Sequence, residues 1–186
     1  MLRHKEDLLA ALAAGQVPKY LFFWGHTEAP GRVTQACLSQ WYPSSFTVDG
    51  QTYATAEHWM MAEKARLFGD LAACRQVFAA EHPGEAKRIG RGVQGFESVT
   101  WEAARFDIVV RGSFEKFRQN PELRAFLETT GERILVEASP RDRIWGIGLA
   151  AQDPRAENPH AWNGLNLLGF ALMVARAQLL ASDPPA

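Results

Sequence analysis

The sequence predicts a single α+β domain that is predominantly helical. Three observations carry this expectation. Helix-period apolar positions with recognisable start and stop signals fill most of the chain, strand-like runs are few and short, and the last helical stretch is apolar on nearly every face. At 186 residues, 47% of them apolar and 22% charged, the chain has the size and balance of one globular domain with its own core. No repeat and no low-complexity linker divides residues 1–186.

Residues 3–15 place Leu8, Leu9 and Leu12 at helical spacing and end at Gly15. Tyr20-Leu-Phe-Phe-Trp24 suits a buried strand, and a loop follows from Gly25 to Ser45, long enough to suggest a functional role. Phe46 to Tyr53 reads as a hairpin closing on Asp49-Gly50, a favoured tight turn. Thr55 is a good N-cap for a helix to about Phe68. Asp70 caps a second, ending near His82, and Pro83 opens a third at a permitted first-turn position. Thr100 is expected to cap a long helix to about Arg118, and Asn120-Pro121 opens another to about Thr129, stopped by Gly131. Arg133 to Glu137 reads as a buried strand, and Ser139 to Asn163 is loop-rich. Asn166 then starts a last helix to about Leu180, which belongs in the middle of the core because no orientation exposes it cheaply. The Ser182-Asp-Pro-Pro-Ala tail should fray.

Charge and composition narrow the function. The formal net charge is −1 and the pI about 6.5. That argues against bulk double-stranded nucleic acid as a partner, while a nucleotide or one extruded base needs only a local basic pocket. No signal peptide and no run of about 20 apolar residues is visible, so a cytoplasmic protein without a membrane partner is expected. Cys37 and Cys74 lie far apart and read as reduced structural thiols. There is no His-Glu-x-x-His, no nucleophile elbow, and no glycine-rich dinucleotide or phosphate loop. The histidines are scattered, so neither a metal nor a cofactor is expected, and no obligate protein partner is evident.

Three constellations carry chemistry. In the first, Glu57, Met61, Lys64 and Phe68 share one helical face at 100° per residue. A carboxylate and an amine on an apolar stripe are costly to bury unless paired or used; otherwise both reach solvent. In the second, Glu85-Ala-Lys87-Arg88-Ile-Gly90-Arg91-Gly92 sets three cations beside two glycines. Lys87 and Arg91 can cradle a phosphate, or simply solvate a helix end. In the third, a strand delivers Glu137 into a loop carrying Asp142, Trp145, Gly146 and Gly148. Glycine lets a backbone approach a ligand closely, and tryptophan offers a flat face for a base. Trp162-Asn-Gly-Leu-Asn166 repeats the theme before the last helix, and packing tryptophans with helix caps would explain the same residues.

Taken together and in register, these residues resemble the NADAR family, from about Phe22 to Leu179. The resemblance rests on Tyr53-x3-Glu57-His58, Lys64-Ala65, Lys87-x2-Gly90-Arg91 and Trp101. It continues through Lys116-Phe117, Thr130-Gly131, Glu137-Ala-Ser, Asp142-x2-Trp145-Gly146-x-Gly148, Asn166-x2-Gly169 and Arg176. It implies a mostly helical α+β domain that cleaves N-glycosidic bonds. Its substrates would be aminopyrimidine ribosyl phosphates of the riboflavin pathway, or ADP-ribose on guanine in DNA. One segment departs from the family: Leu38-Ser39-Gln40-Trp41 stands where the family has Leu-Ser-Asn-Phe.

Breaking a ribosyl C–N bond develops positive charge on the sugar and negative charge on the departing base. Glu57 or Asp142 can supply the anion, Trp101 and Trp145 can hold the base, Lys87 and Arg91 the phosphate, and Asn166 the ribose hydroxyls. Glu137 and Gly146 belong to the same expected substrate surface. A neutral Lys64 amine offers a second route, attacking the anomeric carbon and passing through a ring-opened Schiff base. Water and Lys64 both remain open as nucleophile. The rival function is a module that binds ADP-ribose or a related nucleotide without cleaving it.

Overall fold

The computed structural model describes residues 2–182; the predicted tail after Ser182 lies outside them. Helix α1 (Lys5–Ala13) leads into strand β1 (Tyr20–Phe23), and a short 3₁₀ turn at Gln35–Leu38 interrupts the long loop. Strands β2 (Phe46–Val48) and β3 (Gln51–Tyr53) form the expected antiparallel hairpin. Its turn holds Asp49 and Gly50 at φ values of 51° and 78°, as a tight hairpin requires of both central residues.

Helices follow in sequence: α2 (Ala56–Leu67), α3 (Leu71–Ala79), α4 (Pro83–Arg91), α5 (Ser98–Gln119) and α6 (Pro121–Thr129). Thr55 caps α2 by accepting from the His58 N–H, and Asp70 caps α3 through Ala73. Two boundaries differ from expectation. Helix α3 stops at Ala79, because the residue before Pro83 is held in extended backbone and the chain must straighten ahead of it. Helix α5 begins at Ser98, and Thr100 bonds the Glu97 carboxylate from inside the first turn.

Strand β4 (Ile134–Glu137) pairs in parallel with β1, from Tyr20 opposite Ile134 to Phe23 opposite Glu137. Helix α7 (Leu167–Ser182) lies against β4 and α5, while α2 packs on α3, α4 and α5. As expected, α7 runs through the core, with Leu168, Phe170, Leu172 and Met173 all buried; only its last turns surface. No helix among the described residues is long and apolar enough to cross a membrane.

Asn166 stands at the start of α7 as expected, its carbonyl accepting the Phe170 N–H, and it is fully buried at φ 56° with its side chain clamped on the sheet. Its Oδ1 accepts from the Glu137 N–H and its Nδ2 donates to the Leu135 carbonyl, both at 2.9 Å. Three residues on, a Cβ at Gly169 would sit 2.0 Å from the Leu135 carbonyl oxygen. The first turn of α7 therefore rests directly on the backbone of β4, which holds Glu137 at a fixed height at the strand's end.

Candidate active site

Four segments converge on one cleft. The first turn of α2 brings Glu57 and its third turn Lys64; the end of α4 brings Lys87 and Arg91; the start of α5 brings Trp101; the loop after β4 brings Asp142 and Trp145. Together they enclose a hollow of about 460 Å³. A ridge of Lys87, Arg91, Arg141 and Asp142 divides it from a second hollow of about 500 Å³. Phe23, Trp24, His26, Ser39, Trp41 and Glu137 line that second side. Four of the six tryptophans face these two hollows. A larger hollow of about 680 Å³ lies far along the chain, around Gln16–Lys19 and Glu132–Ile134. Its lining has no aromatic surface, so the chemistry favours the cleft.

Glu57 is only 2% exposed. Its backbone N–H, one of the unpaired donors of the α2 N-terminus, donates to the Gln40 carbonyl at 2.9 Å. Its Oε1 is buried without a partner. Burial pushes the carboxyl up from 4.5 to about 7; Lys87, a hydrogen bond with the Trp41 side chain and Arg91 oppose that rise, and Asp142 adds to it. Glu137 is lifted further, to about 8, by burial and by the neighbouring charges of Asp142 and Glu57, against the pull of Lys87. Its Oε2 is likewise unpaired.

Lys64 donates from Nζ to the Gly90 carbonyl at 2.8 Å and sits 4.3 Å from the Phe96 ring centre and 5.6 Å from that of Trp101. Burial lowers its proton affinity below the usual lysine range. Asp142 has a structural duty as well: its Oδ1 accepts from the N–H groups of Ile144 and Trp145 at 2.8 and 2.7 Å. That turn sets the Trp145 ring at the cleft wall. On the ridge, the Lys87 ammonium lies 5.8 Å from the centre of the Trp41 ring, which also meets His26 at 5.5 Å.

The structure thus brings Glu57, Lys64, Lys87, Arg91, Trp101, Asp142 and Trp145 together and sets Glu137 across the ridge. Two expected site residues stand apart. Asn166 is fully buried with Oδ1 and Nδ2 both bonded to β4, so its amide does not face the cleft. Gly146 is buried, and a Cβ there would meet the Glu137 and Asp142 carbonyl oxygens at 2.8 and 3.1 Å. Its missing side chain lets the loop fold onto its own strand, not onto a ligand. Sequence reasoning passed over Trp24, Arg141 and Phe96, and it met Trp41 only as a departure from the family pattern.

The arrangement supplies what acid–base chemistry on a charged aromatic substrate needs. A carboxyl near 7 exchanges its proton at neutral pH, and a desolvated amine is a stronger nucleophile than a solvated one. The ridge cations suit phosphate oxygens, and the indoles suit a flat base. No group of three His, Cys, Asp or Glu side chains placed to hold a metal ion is found among the described residues.

The domain model for the NADAR domain matches residues 22–180. The chain belongs to the NADAR family. A NADAR relative, an N-glycosidase of Acanthamoeba polyphaga mimivirus, is 40% identical over 168 residues, spanning 88% of this chain and 98% of its own. A riboflavin biosynthesis protein of Vibrio vulnificus is 32% identical over 147 residues, which cover 79% of this chain and 36% of that protein. The NMR structure of Escherichia coli YbiA, itself named an N-glycosidase, superposes with a TM-score of 0.71 at 26% identity, covering 89% of this chain and 88% of YbiA. The NADAR match takes in every segment of the cleft and leaves out α1.

Proposed function

We propose that this protein is an N-glycoside hydrolase cleaving the bond between a base and a phosphorylated ribosyl group. The observation that carries the reading is Glu57: a buried carboxyl held near 7, in one cleft with a partly desolvated lysine, aromatic walls and a cationic ridge. In the reaction the C–N bond pair leaves with the base nitrogen, which takes a proton from Glu57. The anomeric carbon, left electron-poor, is stabilised by the charge of Asp142 and captured by a nucleophile. With water as nucleophile, the displaced proton returns to Glu57. With the Lys64 amine, a ring-opened imine forms and water then hydrolyses it, releasing the sugar phosphate and restoring the amine. Lys87, Arg91 and Arg141 hold the phosphate, while Trp101 and Trp145 stack on the base.

The relatives support a reading of the substrate class. A riboflavin biosynthesis protein among them favours an aminopyrimidine ribosyl phosphate, and the four cleft tryptophans also suit ADP-ribose carried on guanine. A module that only binds such nucleotides would use the same indoles and cations, but it has no use for a desolvated acid and amine, each of which costs stability. The test is a panel of N-ribosyl compounds, including ADP-ribosylated guanine, scored for free base and reducing sugar. At least one should be cleaved, and Glu57→Gln should lower the rate about 100-fold or more. Tight binding of the panel with no base released by the wild-type protein would replace the hydrolase with the binder.

A further inference from the structure

Lys116 is a lysine in the core, 1% exposed on α5. Among the described residues no carboxylate pairs with it. Its Nζ instead donates to the carbonyls of Cys37 and Ser39 at 2.7 and 2.9 Å, and lies 5.2 and 5.6 Å from the ring centres of Phe117 and Tyr42. Burial brings its proton affinity down to about 7. An amine held this way costs folding energy that an apolar side chain of similar volume would not.

The two carbonyls lie at the end of the Gln35–Leu38 turn, and the chain goes from there straight to the acid. Ser39 Oγ accepts from the Trp41 N–H at 3.1 Å. The Gln40 carbonyl takes the Glu57 N–H at 2.9 Å, and the neighbouring Trp41 side chain opposes the rise in the Glu57 carboxyl's proton affinity. Gln40 is buried with its Nε2 unpartnered, so that side chain amide does not anchor the segment. The Lys116 ammonium holds residues 37–41 from beneath, in addition to the turn's own bonds from Cys37 N–H to Thr34 and Ser39 N–H to Ala36.

We propose that Lys116 is a positioning residue: it pins the 37–41 segment to α5 so that the Gln40 carbonyl and the Trp41 indole orient Glu57 in the cleft. The proposal rests on the reading of Glu57 as the proton donor. Lysine suits the role because one ammonium reaches two carbonyls at once: that of Cys37, and that of Ser39, which also accepts the Tyr42 N–H.

Lys116→Met keeps the length and removes the donors. Amide exchange at Glu57, followed by NMR, should accelerate about tenfold or more while amides of α7 keep their protection. On a cleaved substrate, kcat should fall about tenfold or more with KM within about threefold. Combined with Trp41→Ala, the loss should be no larger than that of the worse single variant, because both act through one segment. Multiplying losses, or unchanged exchange at Glu57, would overturn the proposal. The exchange measurement needs no substrate, so it fails or succeeds independently of the hydrolase reading. Should Lys116→Met not fold, Ser39→Ala cuts the same route between the clamp and Trp41 without touching α5. It should speed exchange at Glu57 and lower kcat, and leaving both at wild-type values would also overturn the proposal.

Discussion

Glu57→Gln should make the protein more stable at pH 8 while disabling it. In the folded chain burial takes the carboxyl from 4.5 to about 7. At about 1.4 kcal/mol for each tenfold change in proton affinity, ionising Glu57 costs the native state on the order of 3 kcal/mol relative to the unfolded chain. The sign follows from proton counting. Between pH 4.5 and about 7 the native state binds the proton and the unfolded state releases it, so wild-type stability falls as pH rises through that window. Below it both states are protonated and the cost vanishes. Glutamine carries no charge at any pH, so Glu57→Gln should match the wild type near pH 4.5 and exceed it by about 2 to 3 kcal/mol at pH 8. Urea unfolding at the two pH values, with slopes compared to confirm that the unfolded states match, measures this directly. Glu137 ionises in an overlapping range, and for that reason the difference between the two proteins is the quantity to follow. A pH-independent difference, or a variant less stable than the wild type at pH 8, would refute the claim that Glu57 is stored in the fold at a cost.

Other outcomes follow from the same coordinates. Asn166→Ala leaves the Glu137 N–H and the Leu135 carbonyl buried without partners; it should destabilise the protein by about 2 to 5 kcal/mol in thermal or urea unfolding. Trp41→Phe restores the family's aromatic shape and removes the polar indole that opposes the rise in Glu57 proton affinity; the alkaline limb of the pH–rate profile should move upward, and a downward move would contradict that role of the indole. Borohydride added during turnover should fix the ribosyl fragment to the peptide containing Lys64 if the amine is the nucleophile, with Lys64→Arg inactive and untrapped. An active enzyme that traps nothing, with Lys64→Arg near the wild-type rate, would hand the nucleophile's role to water.

What was legible in the chain was whatever a short window contains. Thr55 and Asp70 announce their helices because a cap and the donors it satisfies are three residues apart. The α7 helix could be placed in the core because its pattern excludes every other position. Glu57 and Lys64 stood out because two charges on an apolar stripe need a reason. Asn166 was assigned to the ribose hydroxyls because a polar residue ahead of an apolar helix invites a ligand, and its actual partners lie on a strand some thirty residues upstream. Arg141 and Trp41 reach the cleft only because α2 sits between the loop after β4 and the long first loop. No window of sequence shows that return. The parallel pairing of β1 with β4 joins Tyr20 to Ile134 and was invisible for that reason.

The position of α7 also bears on how this protein is made. A ribosome delivers the chain from its amino end, so the helix against which α5 and β4 pack emerges after both. Until Leu167 to Leu179 arrive, β4 has no Asn166 to hold its register and α5 has an uncovered apolar face. Nascent chains should wait as loosely collapsed, chaperone-accessible intermediates and then consolidate in one late step. The cleft, whose acid and amine sit on α2, would therefore exist only once α7 has been made. Translation stopped between Trp145 and Asn166 would leave every proposed catalytic side chain in the chain and no active site.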